Sequence, residues 1–277
     1  MRRFLFFILC VIVIVVAGMW WRQSVLRERA ERLARNAPLE KKITIIPGWD
    51  LRDLARYFIK QGFVQTESDV YAITGFPAER TNRLVTTATS LLAGRTPGLS
   101  FEGYLAPDTY NVYASSSIAD VVGILITQRE KEFTSALKKN IIDQGRTIHQ
   151  VLTMASILER EVRTKEDKAK VADIFWRRHD VGMGLQADST VHYAVAKEGE
   201  VFTSAKDRAS KNLWNTYQYP KLPPGPISNP GIDSIMAAIY PEKNDYWYFL
   251  TTLDTGEVKY ARTLAEHNDN VRKFLKK

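Results

Sequence analysis

The chain has 277 residues, 45% hydrophobic and 25% charged, with a net charge of +8 and one cysteine, Cys10. This is the composition of an ordinary folded protein, long enough for one large domain or two smaller ones, and a lone cysteine excludes a disulfide framework or a thiolate metal site. Residues 1–40 hold 7 Lys+Arg and 3 Asp+Glu, and the other 237 hold 32 and 28; with no stripe of arginines and aromatics, nucleic acid is not an expected partner.

Residues 4–21, "FLFFILCVIVIVVAGMWW", run without a charge. Their length predicts a single-pass membrane helix with Trp20 and Trp21 at its interfacial end. A cleavable signal peptide is the alternative, but no small-x-small site follows the run. Arg2 and Arg3 place residues 1–3 in the cytoplasm, although Arg22, Arg27, Arg29, Arg32 and Arg35 on the other side run against a simple positive-inside count. Residues 22–40 read as a charged juxtamembrane linker, a short helix ended by Pro38 and set against anionic lipid headgroups.

A small module is expected over residues 41–100. Ile43 to Ile46 form a strand and Pro47–Gly48 a turn; Asp50 caps a helix with Leu51, Leu54, Ala55 and Phe58 at helical spacing. Gly62 closes it, and a second helix over "ESDVYAITG" ends at Gly75. Strand then helices is the outline of a small glycan-binding βα module and of many other α+β domains. The turn-rich stretch "TPGLSFEGYLAPDTYNVY" marks the boundary near residue 100.

Residues 101–277 are expected to form a larger α+β domain. Helices are predicted from Ile118 to about Lys139, from Thr147 to Val162, and from Asp167 to about His179, with Gly182 beyond. "NTYQYPKLPPGPISNPG" carries five prolines in 17 residues, which neither a helix nor a central strand tolerates, so it is a long loop with a task. Pro230 opens the helix "GIDSIMAAIY". "DYWYFLTTLDTGEVKYA" is a β-hairpin, with Asp254 to Gly256 as its turn. A capping box of Thr263 and Glu266 starts the last helix.

Zinc, P-loop, dinucleotide and nucleophile-elbow signatures are missing. "SALK" at Ser135 lacks the companion motif of penicillin-interactive serine enzymes, and His149, His179, His192 and His267 show no ligand spacing. No cofactor and no metal are therefore expected. What remains is "MASILEREV", residues 154–162. Successive helical residues turn by about 100°, so Glu159 and Glu161 point about 200° apart and cannot serve one bond together. The neighbours of Glu161 one turn back are Leu158 and Ile157, which disfavour its charged form and raise its pKa, as a neutral-pH acid requires. Those of Glu159 are Ser156 and Ala155, and Arg163 lies four residues on, a surface pairing. Glu161 has the same option with Lys165, and two solvated helix charges remain the alternative.

"EGYLAPDTY", "MASILEREV", "GMGLQADSTVHYAV", "NTYQYPKLPPGPISNPGIDSIMAAIYP" and "EHNDNV" occur in the order seen in the YceG-like endolytic murein transglycosylases, and the chain resembles that family over roughly residues 100–277. The resemblance implies a lyase, with Glu161 as the catalytic acid and Gln186, Asp188, Asn215, Thr216, Tyr217 and Glu102 as substrate-binding cleft residues. It implies a reduced LysM-like module over residues 41–100, peptidoglycan strands as substrate, wall synthases as partners, and a membrane-anchored enzyme facing the outer or periplasmic side. Cleavage would fall between N-acetylmuramic acid and N-acetylglucosamine without water, leaving 1,6-anhydro ends. Ser189 stands where proline is usual in the family, and Val162 where threonine is common. The alternatives are a non-catalytic anchored glycan-binding scaffold and a water-using muramidase. Trp214, Tyr217 and Tyr219 are candidates for stacking on sugars or for the core.

Overall fold

The computed structural model describes residues 18–29, 39–80, 91–196 and 203–275. The fold class is α+β. The expected single-pass membrane helix over residues 4–21 does not stand: among the described residues no helix is long and apolar enough to cross a membrane. Residues 4–17 of that segment lie outside the described residues. From 18 to 29 the chain is helical, but that stretch carries Arg22, Arg27, Glu28 and Arg29, charges that hydrocarbon does not accommodate cheaply.

Strand β1 (Glu40–Thr44) leads to a turn in which Gly48 takes φ +87°. Helix α1 (Leu51–Lys60) follows, capped by Asp50, whose side chain accepts from the Arg52 and Asp53 amides. Leu51, Leu54, Ala55 and Phe58 are its buried face, as the helical spacing predicts. Helix α2 (Glu67–Thr74) ends at Gly75, and β2 (Thr109–Tyr113) joins β1 in a two-stranded sheet.

The long helix expected from Ile118 is two: α3 (Ile118–Glu132) and α4 (Ser135–Asp143). The break is local chemistry. Buried Phe133 leaves helical geometry, and the Thr134 hydroxyl accepts from the Leu137 amide, restarting the helix with a new cap. Helix α5 (Ile148–Glu161) is the spine, with a capping box of Thr147 and Gln150. Its Leu152, Met154, Ile157 and Leu158 are fully buried, each contributing roughly 2 kcal/mol by removal from water. Helix α6 (Lys165–Asp180), capped by Thr164, begins two residues before the expected Asp167.

Two short helices had no counterpart in the sequence reading: α7 (Asp188–Ala194) and α8 (Ala205–Arg208). Both are under eight residues, too brief for a periodic signal. Helix α9 (Ile232–Ile239) starts after Gly231 rather than at Pro230 and packs on α5 and α6. Strands β3 (Tyr248–Thr251) and β4 (Val258–Ala261) form the expected antiparallel hairpin, with Tyr248 opposite Ala261, and α10 (Leu264–Phe274) packs against both. Residues Lys42–Tyr110 and Ser116–Lys277 form one compact unit.

From Pro223 to Pro230 the proline-rich loop is largely buried without regular structure, so side chains must satisfy its backbone. Ser156 of α5 takes the Ile227 amide at 3.0 Å and receives the Ser228 hydroxyl on its carbonyl at 3.1 Å. The Trp214 indole donates to the Gly225 carbonyl. His149 lies between the Tyr104 hydroxyl (2.9 Å) and the Pro224 carbonyl (2.7 Å). A carbonyl only accepts, so Nε2 carries the proton and Nδ1 accepts from Tyr104.

Candidate active site

Glu161 is the last residue of α5. Val162 turns extended (φ −142°, ψ 155°) and ends the helix, leaving the Glu161 side chain at the edge of the packed core. It projects into a cleft of about 1000 Å³, at the upper end of the size range of small-molecule pockets. Ser189, second residue of α7, donates to Oε1 twice, from its hydroxyl at 2.6 Å and its amide at 3.3 Å. Burial raises the Glu161 carboxyl above its ordinary value against the pull of these two hydrogen bonds, and the neighbouring Asp188 charge adds to the rise.

Glu159 also borders the cleft, but its carboxylate is engaged on the other side of the helix. Its Oε1 pairs with the buried Lys168 ammonium at 2.9 Å, and its Oε2 takes the Gly231 amide at 2.9 Å and the Ser234 hydroxyl at 2.6 Å. It therefore caps α9 and clamps α5 to α6. The expected surface partner Arg163 is not used by Glu159, and Lys165 pairs with Asp233 at 2.9 Å rather than with Glu161.

Four of the seven expected site residues share the cleft: Glu161, Gln186, Asp188 and Tyr217. Gln186 is exposed and holds φ +56°, a left-handed conformation that costs a non-glycine residue on the order of 1 kcal/mol. This kink buries Leu185 and Ala187 while leaving Gln186 at the cleft wall. Asp188 accepts from the Tyr217 hydroxyl (2.9 Å) and the Thr203 hydroxyl (2.7 Å) on one oxygen. Burial, then the Asp188 charge and hydrogen bond, push the Tyr217 phenol up, so it stays a neutral donor.

The other three lie behind the wall. Asn215 is buried and stitches the loop, donating to the Arg208 and Ser210 carbonyls and accepting from the Tyr217 amide. Thr216 accepts from the Ala187 amide and shares a 2.9 Å hydrogen bond with Thr190. Glu102 is buried, accepting from the Leu51 amide, the Tyr193 hydroxyl and the Asn229 side-chain amide; burial pushes its carboxyl well up. Glu102 does not line the cleft. Trp214 belongs to the core, and the Tyr219 hydroxyl is spent on the Lys211 carbonyl.

Sequence reasoning missed the cleft's other contributors. Ser189 is one. Arg178 of α6 is another, buried with its guanidinium on the Leu185 and Trp247 carbonyls, tying the Gln186 turn to the hairpin. Tyr248 and His267 complete that side as a stacked pair, 5.5 Å apart. The available signals were the "GMGLQADSTVHYAV" stretch that holds Ser189 and the "EHNDNV" stretch that holds His267. Among the described residues no group of three or more His, Cys, Asp or Glu is placed to hold a metal ion.

An α+β fold with a half-buried carboxyl whose pKa burial raises, set in an open cleft, defines the class. The chain belongs to the YceG-like family, whose model matches residues 22–273. It is 39% identical over 178 residues to an endolytic murein transglycosylase of Bacillus subtilis, covering 63% of this chain and 48% of the relative. A protein of that name from Streptococcus pneumoniae is 32% identical over 178 residues, covering 63% of this chain and 32% of the relative. The chain thus spans half or less of the length of these curated relatives. The crystal structure of a YceG-like protein from Listeria monocytogenes matches with a TM-score of 0.70 and 31% identity, over 82% of this chain and 75% of that one.

Proposed function

We propose that this protein is a peptidoglycan lytic transglycosylase that cuts within glycan strands, with Glu161 as acid and then base. The observation that carries the reading is the lone carboxyl with a raised pKa at the cleft, in a family whose relatives bear that name. Glu161 protonates the glycosidic oxygen between N-acetylmuramic acid and N-acetylglucosamine. As the muramic 6-hydroxyl closes onto C1, the resulting carboxylate takes its proton, leaving a 1,6-anhydro end and a restored acid. A hydrolytic glycosidase needs a second carboxylate as base or nucleophile; here the substrate's own hydroxyl fills that role, held close by its ring. Gln186 and Tyr217 orient sugar hydroxyls and amides along the wall. The strands it meets are those outside the cell membrane, where wall synthases lay them down.

One observation favours a second reading. Asp188 lies in the same cleft as Glu161 and acts on it electrostatically, so water-using muramidase chemistry has a second carboxylate available. Digestion of purified glycan strands separates the possibilities. An endolytic transglycosylase shortens mean chain length before small fragments accumulate, and its new ends are lighter by one water than reducing ends. Release of disaccharides from the first minutes contradicts internal cutting, and no cleavage at all leaves the non-catalytic scaffold.

A further inference from the structure

We propose that Ser189 is the positioning residue of this site: its hydroxyl and its amide grip Oε1 of Glu161, so that Oε2 is the oxygen that delivers the proton. The proposal rests on the reading of Glu161 as the acid. A backbone amide can only donate, and that of Ser189 points at Oε1 from 3.3 Å; the hydroxyl points at the same atom from 2.6 Å. An oxygen that accepts two hydrogen bonds is not where a carboxyl proton resides. No hydrogen bond among the described residues engages Oε2, and none other engages the Ser189 hydroxyl. Ser189 is 6% exposed, on a helix that packs against α5, so its rotamer is held by its surroundings. The grip fixes the carboxyl plane and leaves the second oxygen for the cleft.

The grip also sets how readily the acid gives up its proton. Both hydrogen bonds favour the ionised form, offsetting burial. The other groups facing Glu161 are Arg160 on α5, Arg178 on α6, Asp188 and His192 on α7, and Tyr217 on the proline-rich loop. Glu159 at the end of α5, Arg163 just beyond it, Tyr248 and Asp254 of the hairpin and His267 of α10 also line the cleft. All of them persist when Ser189 is changed, so a difference between Ser189 variants reports the grip alone.

Three variants grade the donors. Ser189→Thr keeps both, Ser189→Ala removes the hydroxyl, and Ser189→Pro removes hydroxyl and amide at a first-turn position where proline is tolerated. Two readouts are needed: the titration of the Glu161 carboxyl carbon by NMR, assigned against Glu161→Gln, and the pH profile of strand cleavage. Thermal melts confirm that each variant is folded. In Ser189→Ala the Glu161 midpoint and the alkaline limb of kcat/KM should both rise by about one pH unit, since a hydrogen bond to the charged form is lost. The plateau kcat should fall roughly tenfold, with KM little changed, as the proton loses its fixed oxygen. Ser189→Pro should shift further, and Ser189→Thr should restore the wild-type midpoint. If Ser189→Ala titrates and cleaves like wild type, the proposal is wrong while the function stands. A shifted midpoint with no cleavage by the wild type overturns the function, and the catalytic part of the Ser189 role with it.

Discussion

Two residues apart in sequence, Glu159 and Glu161 meet different surroundings and should answer substitution differently. Glu161→Gln keeps the shape and loses the titrating proton, so strand cleavage should fall by at least about 10²–10⁴-fold while the melting temperature stays close to wild type. Glu159→Gln strands the buried Lys168 ammonium and weakens the α9 cap, at a cost of about 3 kcal/mol. For a chain of this size that lowers the melting temperature by roughly 6–12 °C, with cleavage per folded molecule largely kept. A dead but fully stable Glu159→Gln would contradict both assignments. The divergence of the pair was legible from helical periodicity. Their partners were not, because Lys168, Gly231, Ser234 and Ser189 come from other elements, and sequence offers only the local pairings to Arg163 and Lys165.

At the scale of elements, the proline-rich loop carries much of the architecture. Five prolines marked it as irregular, yet nothing local foretold that its second half would be buried, because that half is held by Ser156, His149 and Trp214 and by its own Asn229 reaching distant segments. Asn229 accepts the Gly103 and Leu105 amides and donates to Glu102. Gly103 holds φ +82°, and a Cβ there would stand 2.5 Å from Pro226. Gly103→Ala should therefore destabilise the protein by more than about 2 kcal/mol, read as a lower denaturant midpoint; an unchanged midpoint would mean that the turn yields.

His149 makes the same loop sensitive to acid. Burial lowers its pKa despite the hydrogen bond to the Pro224 carbonyl, so below about pH 6.5 the unfolded chain takes up a proton that the folded one refuses. Stability is thus fully present above the unfolded value and falls as the pH drops, by at most about 1.4 kcal/mol per pH unit for this group. His179 and His267 are lowered too, by burial and neighbouring arginines. Urea midpoints between pH 7 and 5 should fall less steeply in His149→Gln than in wild type. Equal slopes would show that His149 is protonated in the folded protein.

For the molecule as a whole, the α+β class, the hairpin and most helices followed from periodicity and caps, because those signals are local. The cleft did not. Its walls come from α5, the Gln186 turn, the loop around Tyr217, the hairpin and α10, segments up to about a hundred residues apart, so the motif positions identified which stretches mattered but not which side chains face inward. Asn215, Thr216 and Glu102 illustrate this: they lie within motif stretches yet hold the wall from behind. The membrane helix expected over residues 4–21 is the plainest correction: among the described residues no helix is long and apolar enough to cross a membrane, and residues 4–17 of the expected span lie outside them.

The central claim is that Glu161 works with the substrate's own hydroxyl and not with water. An intramolecular hydroxyl, correctly oriented, reaches an effective molarity on the order of 10⁵ M or more, enough to outcompete solvent in an open cleft even with Asp188 nearby. Digestion of intact glycan strands in oxygen-18 water, followed by mass spectrometry of the first products, tests it most directly. The account predicts anhydro ends without label, and none from Glu161→Gln. Heavy oxygen at a free reducing end among the earliest products would show that water attacked C1, and would contradict the transglycosylase mechanism even if Glu161 proves essential.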